Sequence, residues 1–201
     1  MKKYFVYIEF TNKKVNEFLR NLKLAFSDNA FIDAPHITVR GPYVQKPENS
    51  TLVEVQNEIK GNYVNIRDSG IFKTKKGYAV YLRAYSKIFE NTWWKPDYKL
   101  SSFEKKAHIT ILETSNKELA DKVNIFLQNE QININTYGLI ATIYQSKQQQ
   151  IETIEFDENL TPQLERLEFR DGLVSRAAAI VEAVEQSQER IYENDQQALF
   201  A

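Results

Sequence analysis

The order of elements along the 201-residue chain agrees with an α+β fold of two similar lobes around one cleft. Three observations point there. Alternating β-forming segments are interleaved with segments whose apolar residues fall at helix spacing. The order strand, helix, histidine strand, helix, strands appears in the first half and recurs in weakened form in the second. The only two histidines open the same tetrapeptide frame, His36-Ile37-Thr38-Val39 and His108-Ile109-Thr110-Ile111, 72 residues apart.

In chain order, Tyr4-Phe5-Val6-Tyr7-Ile8-Glu9-Phe10 reads as a strand. Residues 12–25 carry Val15, Phe18, Leu19 and Leu22 at helix spacing. Residues 36–40 form the first histidine strand, which Gly41-Pro42 is expected to stop. Ser50-Thr51 can cap a helix running through Lys60, with Leu52, Val55 and Ile59 on one face and Gly61 at its end. Residues 63–67 read as a strand and Ile71-Phe72 as a short further one. Lys73-Thr74-Lys75-Lys76-Gly77 then makes a hairpin turn into a strand over 78–83.

The second half starts with a helical turn over 86–91 and an irregular aromatic loop over 92–98. The second histidine strand spans 107–112. A helix over 116–128 follows, with Leu119, Val123, Phe126 and Leu127 inward. Residues 132–144 alternate as one long strand, and a polar turn over 145–150 leads into another over 151–156.

The last forty residues differ in composition. Residues 161–201 hold four Arg, no Lys and eight acids, a net −4, which leaves +3 on the rest. Thr161-Pro162 is a helix start. Gly172 separates a short helix from a longer one, whose Leu173, Ala177, Ile180, Val181 and Val184 form a stripe that packs on the body or on another copy. The chain ends Gln196-Gln197-Ala198-Leu199-Phe200-Ala201. Gln-x-x-Leu-Phe resembles the peptides that bind the bacterial sliding clamp, which implies such a clamp as a second candidate partner, beside simple packing of this helix.

The chain has no cysteine, which excludes a disulfide framework and a thiolate metal site. It has no apolar run of membrane-spanning length, and Lys2-Lys3 leads into a short strand rather than a signal peptide. The expectation is a soluble, cytoplasmic protein without a membrane partner. A body of +3 suits a phosphate-bearing substrate and is too weakly basic for broad nucleic-acid coating.

The repeated frame carries chemistry. Residues i and i+2 of a strand share a face, so His36 points with Thr38 and His108 with Thr110, while Ile37, Val39, Ile109 and Ile111 face a core. Histidine both donates and accepts protons near neutrality, so one such group per half makes an acid/base pair. A hydroxyl beside each imidazole suits a phosphate, donating to a non-bridging oxygen while the ring moves a proton. Arg40 is read as sharing the His36 face, where it pairs with a phosphate or is simply a solvated strand end. Tyr43 either reaches the substrate or packs in its loop. Lys73, Lys75 and Lys76 either flank the cleft or form a solvated hairpin tip. Trp93, Trp94 and Tyr98 are stacking surfaces for bases or buried loop anchors. Two histidines without a neighbouring carboxylate cluster make a poor metal site, so neither metal nor cofactor is expected.

Through Ala34-Pro35-His36-Ile37-Thr38-Val39-Arg40-Gly41-Pro42 and Lys106-Ala107-His108-Ile109-Thr110-Ile111-Leu112, the chain resembles the 2H phosphoesterases. These carry two His-x-Thr/Ser motifs flanked by aliphatics; Ala107 stands where the family often has Pro. The family includes 2′,3′-cyclic nucleotide phosphodiesterases, RNA 2′,5′-ligase-like proteins, 2′,5′-oligoadenylate phosphodiesterases and phage enzymes that cut cyclic oligonucleotide alarms. The resemblance implies a bilobal α+β fold over residues 1–157, two pseudo-symmetric lobes of antiparallel sheet with flanking helices around a central cleft. Residues 158–201 would be a C-terminal helical extension. It implies a metal-independent phosphodiesterase with His36 and His108 as acid and base, acting on a cyclic or 2′,5′-linked bond in a small nucleotide or short oligonucleotide. Alternatives are RNA-end processing of 2′,3′-cyclic phosphates and a non-catalytic nucleotide-binding or sensor module. The intact threonines argue against the last.

Overall fold

The computed structural model describes residues 3–27, 33–89, 107–145, 149–153 and 166–199, with 149–153 and 188–199 described by backbone alone. Among these residues the chain forms nine strands and four helices, an α+β arrangement of two antiparallel sheets.

β1 (Tyr4–Phe10) leads through Asn12 into α1 (Lys13–Ala25). The Asn12 side chain accepts from the Val15 amide at 3.1 Å, satisfying one of the helix's unpaired N–H groups. Val15, Phe18, Leu19 and Leu22 are buried, as their spacing predicts. β2 (His36–Tyr43) runs through Gly41-Pro42 instead of stopping there. Gly41 sits at φ +102°, where an added Cβ would lie 2.6 Å from the Tyr4 carbonyl oxygen, so the strand continues because this residue is glycine. Proline, which cannot donate to a ladder, is tolerated because β2 is an edge strand.

α2 (Asn49–Ile59) buries Leu52, Val55 and Ile59 but is not capped by Ser50 or Thr51. The Ser50 hydroxyl instead donates to Glu48, the residue at the cap position. The two short segments read over 63–67 and 71–72 are one strand, β3 (Val64–Thr74), carried through a bulge at Asp68, whose φ is +54°. The Lys75-Lys76 turn joins it to β4 (Gly77–Tyr85). Of the turn expected over 86–91, residues 88–89 are helical and 90–91 lie outside the described residues.

β5 (His108–Thr114) is followed by α3 (Lys117–Asn129), capped by Asn116 as α1 is by Asn12. Ala120, Val123 and Leu127 are buried there, with Leu119 and Phe126 half-buried against the core. The long strand expected over 132–144 is two, β6 (Asn133–Thr136) and β7 (Leu139–Gln145), which belong to different sheets. The chain turns at Gly138, φ +69°, whose carbonyl accepts from the Thr11 amide at 2.8 Å and from its hydroxyl at 2.7 Å. β8 (Gln149–Thr153) completes the first sheet; residues 154–156 lie outside the described residues.

The Thr161-Pro162 helix start also lies outside them. The short helix expected before Gly172 is contradicted at β9 (Arg166–Glu168), which pairs antiparallel with β6. α4 (Leu173–Leu199) follows, with Leu173, Ala177 and Val184 buried. The side chains of the clamp-like Gln196–Phe200 peptide lie outside the described residues.

The first sheet runs β2-β1-β7-β8 and the second β5-β4-β3-β6-β9. Each histidine strand is thus an edge strand of its sheet. β3 and β4 from the first half lie in the second sheet and β7 and β8 from the second half in the first. One core joins both sheets and the helices, from Ile8 and Ile37 to Leu82, Ile109 and Leu173. No described helix is long and apolar enough to cross a membrane.

Candidate active site

Within the first sheet Tyr7 stands opposite Thr38 and Glu9 opposite His36. Directly paired residues of an antiparallel ladder share a face, so these four side chains lie on one side. The ladder then slips: Tyr7 pairs with Thr38 but Val6 with Arg40, leaving Val39 as the extra residue of a bulge. The second sheet repeats this. Arg83 stands opposite His108 and Tyr81 opposite Thr110, and Val80 pairs with Leu112, leaving Ile111 extra. Ile37, Val39, Ile109 and Ile111 are all buried, while both histidines and both threonines are half-exposed. The two edge strands β2 and β5 touch, and His108 is close enough for its charge to act on His36.

His36 is held by two contacts. Its Nδ1 lies 2.8 Å from the Ala34 carbonyl oxygen. A carbonyl only accepts, so the proton of the neutral ring is on Nδ1 and Nε2 keeps its lone pair. The Tyr7 ring stacks on the imidazole at 3.8 Å and 12°. Burial pushes the His36 pKa down from 6.5 to about 4; the Ala34 hydrogen bond opposes this, and the charges of Lys23 and His108 add to it. His36 is therefore neutral throughout the physiological range. Burial, with Asp33 and Glu9 nearby, raises the Tyr7 phenol to about 12, so it stays protonated. The Glu9 carboxylate accepts from the Thr142 hydroxyl and the Tyr144 phenol, each at 2.8 Å. Burial and that bond to Glu9 push the Tyr144 pKa up as well.

His108 sits in a different aromatic setting. The Tyr81 ring lies 5.2 Å away, tilted by 55°, and Phe72 meets it edge-on at 5.2 Å. Gly70 makes room for Tyr81: a Cβ there would lie 2.5 Å from the phenol oxygen.

The structure brings His36, Thr38, His108 and Thr110 onto the two abutting edge strands. It does not bring Arg40 with them. The Val39 bulge turns Arg40 onto the Val6 side, where it is 5% exposed and its charge acts on Glu58 of α2. Tyr43 is partnered with Tyr4, five β1 positions beyond Glu9, or roughly 17 Å along the strand from His36, and packs against the core. Lys75 and Lys76 are exposed at the β3–β4 turn, beyond the Tyr78–Thr114 pair. Lys73 is exposed beside it, opposite Tyr78. Trp93, Trp94 and Tyr98 lie outside the described residues. Among the described residues no three His, Asp or Glu side chains gather as metal ligands.

Sequence reasoning missed Tyr7, Glu9, Tyr81 and Arg83. A signal was present: Tyr7-Ile8-Glu9 and Tyr81-Leu82-Arg83 repeat a tyrosine, aliphatic, charged frame 74 residues apart, close to the histidine spacing. No protein-family model matches the chain, and no curated protein matches it either.

Proposed function

We propose that the protein is a 2H-type phosphodiesterase of bilobal fold. It cleaves a cyclic or 2′,5′-linked phosphodiester in a small nucleotide or short oligonucleotide by histidine acid/base catalysis. The observation that carries this reading is the repeated register, with His-x-Thr on two abutting edge strands and a tyrosine opposite each threonine.

His36 fits the general base. Its pKa near 4 leaves it neutral, and the Ala34 carbonyl fixes the tautomer with Nε2 bare. Nε2 takes the proton of the attacking oxygen, a water or, on a 3′,5′-linked bond, the free ribose 2′-hydroxyl, as that oxygen forms its bond to phosphorus. The bond from phosphorus to the leaving oxygen breaks, and His108, protonated, gives that oxygen its proton. The Thr38 and Thr110 hydroxyls donate to the non-bridging oxygens, where charge builds up. No step calls for a metal. Attack by the 2′-hydroxyl is the same chemistry applied to RNA ends, so substrate and not mechanism separates the two uses.

The experiment is a panel of 2′,3′-cyclic mononucleotides, 2′,5′-linked oligonucleotides and cyclic di- and oligonucleotides, incubated with chelator and separated by chromatography. At least one is expected to turn over, and His36→Ala and His108→Ala should each lose at least ~100-fold. Near-wild-type turnover by either variant, or activity only with a divalent ion, overturns the reading.

A further inference from the structure

The face that carries His108 continues across the second sheet. His108 pairs with Arg83, Arg83 with Arg67 and Arg67 with Asn133, so four side chains form one rung over four strands. Strands lie about 4.8 Å apart, which sets Arg83 and Arg67 roughly 5 and 10 Å from His108. Beyond Arg83 the rung opens into a cavity of about 1000 Å³ lined by Asn65, Arg67, Tyr85, Lys87, Asn133 and Asn135.

The cavity and its rim suit a particular ligand. The Tyr85 ring braces Arg67 of the lining and Arg83 beside it, with Arg67 Cζ 4.7 Å and Arg83 Cζ 4.6 Å from its centroid. The Tyr85 hydroxyl is tied to Asp68 at 2.6 Å, which fixes the ring. Asp68 lies 3.9 Å from the Arg67 guanidinium and offsets one of the three cations Arg67, Arg83 and Lys87, leaving a surplus of two positive charges around the cavity. Braced guanidiniums suit phosphate oxygens. Deeper in, the Asn65 amide donates to the side-chain oxygens of Asn133 at 2.8 Å and Asn135 at 2.6 Å. That occupies one lone pair of each oxygen and leaves two NH2 groups as donors on the cavity wall, a match for the acceptor-rich edge of a base. Tyr63, half exposed, and Tyr137 add an aromatic wall, with ring centroids 5.7 Å apart.

We propose that this cavity binds the next nucleotide unit of a short oligonucleotide, with Arg67 and Arg83 on its phosphate and Asn133 and Asn135 on its base. The inference rests on the phosphodiesterase reading for which bond lies at His108, and it makes the substrate an oligonucleotide rather than a mononucleotide.

Binding can be measured apart from turnover, in full-length protein carrying His108→Ala. The probes are fluorescein-labelled 2′,5′-linked triadenylate and the labelled monoadenylate. The trimer should bind at least ~10-fold more tightly than the monomer. Arg67→Ala, Arg67→Gln and Asn133→Ala should each remove much of that advantage and leave monomer affinity unchanged. Arg67→Ala should also flatten the salt dependence of trimer binding by about 0.7 in log–log slope, the mark of one lost phosphate contact. Lys14→Ala, an exposed charge on α1, is the control. Equal affinity for trimer and monomer, or no more effect from Arg67→Ala than from Lys14→Ala, overturns the site. Trimer selectivity without turnover of the panel keeps the site and removes the phosphodiesterase reading; turnover without trimer selectivity does the reverse.

Discussion

Tyr7 and Tyr81 hold the same place in two sheets: each stands opposite the threonine of a histidine strand, at the edge of a one-residue bulge. The bulges end the shared alternation, so the residue two beyond each threonine turns inward, Arg40 at 5% exposure and Leu112 at 6%. Bulges suit edge strands, where they spoil the template for pairing with another chain. Here they also limit the exposed, chemistry-bearing face of each histidine strand to its first three residues.

Stacking of Tyr7 on His36 should be visible in solution. Burial holds the imidazole near a pKa of 4. Titration of the two histidines by NMR should show His36 titrating near pH 4, and Tyr7→Ala should move it upward as water reaches the ring. A wild-type His36 that titrates near 6.5 would contradict the stacked, desolvated environment.

The same pKa fixes a pH dependence of stability. An unfolded imidazole takes up its proton near 6.5, the folded one only near 4. Between those values the unfolded chain binds more protons, so stability falls as pH drops from about 6.5 and this contribution levels off below about 4. Urea midpoints from pH 7 to 4 should therefore fall less steeply for His36→Gln than for wild type. Activity should keep its base in the neutral form down to about pH 4, placing the acid limb of kcat/KM there. An acid limb near 6.5 would give the base role to another group.

Much of this was legible in residue patterns. β1, α1, α3 and both histidine strands follow from alternation and helix spacing, because local propensity and burial agree in those segments. Register was not legible. Arg40 looked like a companion of His36 because strict alternation ignores the extra residue at Val39. Residues 132–144 alternate throughout, yet the chain turns at Gly138 to feed two sheets, a choice made by tertiary pairing. Arg166-Leu167-Glu168 is too short to announce a strand without β6 beside it.

Removing the hydroxyls separates phosphate handling from folding. Thr38→Val and Thr110→Val keep the β-branch that the strands favour and delete the donor. Each should keep the wild-type circular dichroism spectrum and lose roughly 10-fold or more in kcat, with the double variant lower still. A folded, fully active single variant would exclude its hydroxyl from charge stabilisation.

The last prediction concerns the C-terminal segment, whose removal near residue 158 the sequence alone would allow without loss of the histidine chemistry. The structure adds a cost. That truncation deletes β9 from the edge of the second sheet and takes the buried Leu173 and Ala177 out of the core. It also strips Glu130, whose side chain is 6% exposed, of its partner Arg176. Arg176→Ala tests that pair alone. A carboxylate left buried and unpaired is costly, and with Arg176 itself half in solvent the loss should be about 1–3 kcal/mol. The paired change Glu130→Met with Arg176→Met should recover most of it, since apolar groups of similar size leave no charge to solvate. Neither change touches β2 or β5, so turnover at low temperature should be unaffected. A wild-type Tm for Arg176→Ala would show that the ion pair contributes nothing and that α4 is held by its apolar contacts, Leu173, Ala177 and Val184 among them.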